Sequence, residues 1–135
     1  MQQKSVLTLD DANTILDAGQ AEAEKQGWNV AVAVVDDGGH LLALRRLDGC
    51  AAMFSAVANE KARGAAMAGK ETQAFEDMIN GGRAAFLSVP GISATMTGGV
   101  PIMVDGQVAG AVGVSGVKPD QDAQVAKAGA AAISG

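Results

Sequence analysis

Tyrosine is absent from this chain of 135 residues, and tryptophan, histidine and cysteine occur once each, as Trp28, His40 and Cys50. Each scarcity excludes something. With aromatics at 3% and hydrophobic residues at 48%, the core must be filled by Ala, Val, Ile, Leu and Met, which demands closely spaced helices and strands. A lone cysteine cannot form an intramolecular disulfide, and with a lone histidine and no cysteine cluster a closed zinc site within the chain is not expected. Lysine and arginine number 10 against 15 acids, a net charge of -5, and no basic cluster is interleaved with aromatics. Nucleic acid is therefore not an expected partner. No apolar run approaches the roughly 20 residues of a membrane helix, and no apolar export segment precedes the first helix signal. The expectation is a cytoplasmic protein with no membrane partner.

What is present reads as one domain over residues 1–135. Thr8, followed by Asp10 and Asp11, caps a helix that runs to about Gln26 and stops at Gly27. A strand from Asn29 to Asp36 puts bulky Val30, Val32 and Val34 on one face and small Ala31 and Ala33 on the other. Asp36-Asp37-Gly38-Gly39 is a hairpin turn, and His40 to Leu47 returns. An alanine-rich helix from about Ala51 to Gly69 and a short one from Thr72 to Asn80 follow. A second hairpin, Thr95 to Val104 and Gln107 to Val114, turns at Asp105-Gly106. Its return strand is expected to place Val108, Val112 and Val114 on one face and Ala109, Ala111 and Gly113 on the other. Asp120 is expected to cap the last helix, with Asp122 in its first turn. Two hairpins and fully apolar strands predict an α+β fold: an antiparallel sheet covered by helices.

Two glycine patterns fail as nucleotide sites. Gly64 to Glu71 approaches a phosphate-binding loop, but Glu71 stands where a metal-binding Ser or Thr is needed, within a helical run. Gly110, Gly113 and Gly116 have the wrong spacing for a dinucleotide fingerprint and instead permit close packing.

The chemistry-bearing candidates are few. His40 is the sole side chain with an ordinary pKa near neutrality. Because haem iron can be held by one His, with hydroxyl or thioether groups as weaker contacts, His40 is a candidate iron ligand and Thr97 a second candidate contact. Glu60, Lys61 and Arg63 interrupt the alanine-rich helix. Glu60 and Arg63 are spaced to pair, and Lys61 projects elsewhere. Lys61 or Arg63 can hold an anionic group opposite Gly98-Gly99, whose backbone N–H groups add to such a site. Cys50 is a nucleophile only if His40 reaches it across the hairpin mouth.

Four blocks occur in order: Val34 to Leu41, then Arg46-Leu47-Asp48-Gly49, then Lys61-Ala62-Arg63, and finally Gly98 to Gly116 with Asp120-Gln121-Asp122. Together they resemble the GlcG/HbpS family, and the same module is similar to the C-terminal domain of PduO-type corrinoid adenosyltransferases. The resemblance implies a profilin-like α+β fold, homo-oligomers up to octamers, and haem binding with a haem-degrading role. It does not supply an axial ligand, so His40 and Thr97 rest on local chemistry alone.

Three functions follow as expectations. One is a cytoplasmic, oligomeric haem- or tetrapyrrole-binding protein, haem-degrading or redox-linked, with His40, Thr97, Lys61, Arg63, Gly98 and Gly99 at the cofactor. Another is a lyase, isomerase or hydrolase of a catabolic operon using Lys61, Arg63 or His40. The third is a noncatalytic assembly partner whose small-residue faces serve packing alone.

Overall fold

The structure, a computed structural model, describes residues 1–133. Its first helix, α1 (Leu9–Gln26), begins as its sequence predicts. Thr8 Oγ1 accepts the Asp11 N–H at 3.2 Å, and the Asp11 carboxylate accepts the Thr8 N–H at 2.9 Å. Gly27, at φ 76°, ends the helix in the left-handed conformation that glycine tolerates. The Thr8 N–H, and then its hydroxyl, hold the Asp11 carboxyl below its ordinary 3.8. A carboxylate lowered in this way contributes stability that is fully present above 3.8 and is lost as pH falls through the folded value. The denaturation midpoint of the wild type should therefore drop further than that of Asp11→Ala between about pH 6 and about pH 3. Equal drops would show that the cap contributes nothing.

Strands β1 (Ala31–Asp36), β2 (Leu41–Arg46), β3 (Gly99–Val104) and β4 (Gln107–Ser115) form one antiparallel sheet in the order β2-β1-β4-β3. The two central strands are the ones read as apolar on both faces, and both faces are covered. On one side α1 and α4 (Pro119–Ala131) pack Ile15, Leu16 and Val125 against Val32, Val34 and Val112. On the other side α2 (Met53–Ala68) packs Ala58, Ala62 and Ala65 against Ala31, Ala33 and Ala111. A short α3 (Gln73–Asn80) and a 3-10 turn (Ala84–Ser88) lead into β3.

The small face has a specific cause. Ala33, Gly113 and Gly99 lie side by side across β1, β4 and β3. The backbone of α2 rests on this row. A Cβ at Gly113 would overlap the Ala58 carbonyl oxygen and lie 2.5 Å from the Ala62 nitrogen, and one at Gly99 would overlap the Lys61 carbonyl oxygen.

Two expectations are corrected. Pairing shifts between Ile102, opposite Gly110, and Met103, opposite Val108, so Ala109 is an extra residue in β4. The bulge reverses the alternation. Ala109 joins the core under α1 and α4, and Val108 packs toward α2, opposite to the faces predicted for them. Asp120 does not cap α4 either. Lys118 is the cap residue, and Pro119 takes the first helical position, where its missing N–H costs nothing.

Candidate functional site

Helix α2 separates the candidate side chains onto different sides. Lys61 points inward and is 2% exposed, and Asp122 is 3% exposed. The Lys61 ammonium lies 3.1 Å from Asp122 Oδ2 and donates to the Val114 carbonyl at 3.0 Å, and Asp122 Oδ1 accepts the Val117 N–H at 3.1 Å. Burial pushes the Asp122 carboxyl above its ordinary value, against the opposing pull of Lys61 and the Val117 N–H. This pair ties α2, the end of β4 and the start of α4 together beneath Gly98, where a Cβ would lie 2.9 Å from Lys61 Nζ. Lys61 and Gly98 thus meet. The ammonium is nonetheless sealed and bonded, and the Gly99 N–H donates to Thr72 Oγ1 at 2.8 Å.

The outward side of α2 is different. Asp36 Oδ1 accepts the N–H groups of Gly38 and His40, each at 2.9 Å, which fixes the turn after β1. At Gly39, with φ 84°, a Cβ would lie 3.0 Å from Arg63 Cγ and 3.5 Å from Met67 Cγ. The turn that carries His40 therefore rests beside Arg63. A groove of about 540 Å³ opens there, lined by Glu60, Arg63, Leu87, Val89, Ile92 and Thr95 among others. Glu60 does not pair with Arg63 as its spacing suggests; its carboxylate accepts the Ser93 hydroxyl at 2.9 Å. Among the described residues, the ion pairs are Lys4–Asp37, Arg45–Asp17, Lys61–Asp122 and Lys127–Glu71. The Arg63 guanidinium is in none of them, and the His40 imidazole is exposed, with no hydrogen bond among the described residues.

Thr97 faces a second groove, also about 540 Å³, with Gln73, Glu76, Asp120, Gln124 and Lys127. It is 6% exposed, and its hydroxyl donates to Glu76 Oε2 at 2.6 Å. The structure thus sets Gly39, in the turn before His40, beside Arg63, lays the His40 ring against Gly38 and outside the groove lining, and places Lys61 and Thr97 elsewhere. Glu76 and Asp122 escaped the sequence reading as site residues. Asp122 had a signal, since its block and the Lys61 block are charged islands in an apolar chain.

A His–Cys arrangement is excluded. His40 and Cys50 flank opposite ends of β2, roughly 20 Å apart at about 3.3 Å per residue, and burial pushes the Cys50 thiol up. Among the described residues no group of three or more His, Cys, Asp or Glu side chains can hold a metal ion, and no helix is long and apolar enough to cross a membrane.

Residues 7–131 match the family described as haem degrading protein HbpS-like. The chain is 52% identical to the protein GlcG of Escherichia coli K12 over 115 residues, 85% of each chain. A crystal structure of a Streptomyces reticuli HbpS double mutant is 31% identical, with a TM-score of 0.89 covering 100% of this chain and 92% of that one. A crystal structure of a PduOC complex with heme is 26% identical, with a TM-score of 0.86 covering 95% of each chain.

Proposed function

The chain belongs to the haem degrading protein HbpS-like family, and from that membership we propose that it is a cytoplasmic, homo-oligomeric tetrapyrrole-binding protein whose haem lies in the Arg63 groove. The observation that carries this reading is one juxtaposition. Arg63, in no ion pair among the described residues, lines one groove with Leu87, Val89 and Ile92, and its Cγ lies beside the turn that precedes the single histidine. The residues would hold the group as follows: the wall would exclude water from a porphyrin face, Arg63 would meet a propionate through charge-assisted hydrogen bonds, and His40, on the adjoining turn and outside the groove lining, would offer an imidazole nitrogen to iron. Bound haem would supply a redox-active iron, which accords with a family described as haem degrading and with a redox-linked role for this chain. The protein's part is to orient it and shield it from water. Thr97, committed to Glu76 in the other groove, is the lesser candidate for the iron.

The enzyme reading requires Lys61, Arg63 and His40 to converge on one small substrate. Lys61 sits under the sheet edge with Asp122, so that reading retains only His40 and Arg63.

Titration of the purified protein with hemin tests the assignment. His40→Ala should weaken binding by about tenfold or more, equivalent to about 1.4 kcal/mol, and change the Soret position. An unchanged titration would remove His40 from the iron. Native mass measurement of the same samples should show several copies per particle, and a strict monomer at micromolar concentration would overturn the assembly.

A further inference from the structure

We propose that the cavity between the end of α1 and the end of β2 binds a free amino acid with an apolar side chain, at a site separate from the Arg63 groove. The cavity holds about 590 Å³, within the range of small-molecule sites. Gln20, Glu24, Trp28, Arg45, Leu47 and Asp48 line it, and none of its lining residues lines the Arg63 groove. Trp28 and Leu47 are half-buried and pack against the core under α1 and α4, which gives the cavity an anchored apolar floor.

One wall is set by a chain of hydrogen bonds from β2 to α1. Arg45 Nη1 donates to Asp17 Oδ1 at 2.7 Å and to Gln20 Oε1 at 3.1 Å, and Gln20 Nε2 donates to Glu24 Oε1 at 2.9 Å. Both Arg45 bonds leave from one nitrogen. Among the described residues, Arg45 Nη2 and Nε, Glu24 Oε2 and the Asp48 carboxylate have no hydrogen-bond or ion-pair partner. The cavity thus offers guanidinium N–H groups and carboxylate oxygens above an apolar floor. An amino acid matches that set: Arg45 receives its carboxylate through charge-assisted hydrogen bonds, Glu24 and Asp48 receive its ammonium, and its side chain lies on Trp28 and Leu47. The C-terminus of the 18-residue α1 reaches the same cavity at Gly27, and its partial negative charge favours the ammonium. Glu24 and Asp48 against Arg45 and Arg46 leave the lining without net charge, which suits a zwitterion better than a bare amine or a bare acid.

The chain has one tryptophan and no tyrosine, so its indole emission reports this cavity. Full-length protein is titrated with L-leucine, L-methionine and L-phenylalanine, followed by Trp28 emission and by isothermal calorimetry. At least one should saturate with a dissociation constant of about 1 mM or tighter. The amine and the acid that keep its side chain but lack its carboxylate or its ammonium, isoamylamine and isocaproate in the case of leucine, should bind at least about tenfold more weakly. Arg45→Met should abolish the advantage over the amine, Arg45→Lys should keep part of it, and Glu24→Gln with Asp48→Asn should abolish the advantage over the acid, all with unchanged circular dichroism. No saturable binding of any of the three by either measurement would overturn the site. So would equal affinity for the amino acid, the amine and the acid, or undiminished affinity in Arg45→Met. Hemin uptake has no bearing on any of these outcomes, so the amino-acid site and the haem assignment stand or fall separately.

Discussion

Asp122→Leu should destabilise the protein by about 3–5 kcal/mol, because it leaves the Lys61 ammonium buried without its counter-charge. Lys61→Met should lose a similar amount for the converse reason, and it also removes the donor to the Val114 carbonyl. The informative variant is the pair. Burial pushes the Asp122 carboxyl up despite Lys61 beside it, so desolvation outweighs the attraction at this carboxyl. Replacing both, as Lys61→Met with Asp122→Leu, should therefore recover most of the loss, short of wild type because the Val117 N–H and Val114 carbonyl lose these partners. Denaturant midpoints of the four proteins form a double-mutant cycle with a coupling of several kcal/mol. Additive losses would mean that the two charges do not sense each other.

Gly113→Ala should cost about 3 kcal/mol or more, the upper end for overpacking a core. The added methyl meets helix backbone, the Ala58 carbonyl oxygen and the Ala62 nitrogen, rather than a side chain that can rotate away. That distinction gives a sharp control. Trimming α2 by Ala58→Gly or Ala62→Gly should not rescue Gly113→Ala, since neither removes an atom that the methyl strikes. Rescue by either one would place the side chains, not the helix backbone, at closest approach.

Local signals were readable wherever one residue type does one job. The Thr8 cap, the Gly27 stop, the turn at Gly38-Gly39 and the division of β1 into valines and alanines all appear as the chain predicts. The bulge at Ala109 was not readable, because one inserted residue leaves both flanking stretches with a normal alternation and reverses only their relation. The site was legible in its members and not in its grouping. Spacing placed Lys61 and Arg63 on different sides of α2, but not which side would be sealed. Lys61 and Asp122 are far apart in the chain, and their contact depends on α4 crossing the end of β4. Thr97 and Thr95 lie two residues apart yet line separate grooves, with Met96 exposed between them. Only the folded chain decides that.

The assignment of haem to the Arg63 groove is tested most directly by hemin titration of three proteins: the wild type, Ile92→Glu in that groove, and Gln124→Glu in the groove of Thr97. The wild type should give a saturable, stoichiometric Soret shift. Ile92→Glu should bind at least about tenfold more weakly, because haem binding would bury the new carboxylate, and Gln124→Glu should match the wild type. A wild type without saturable binding, or equal weakening by the two substitutions, would contradict the assignment.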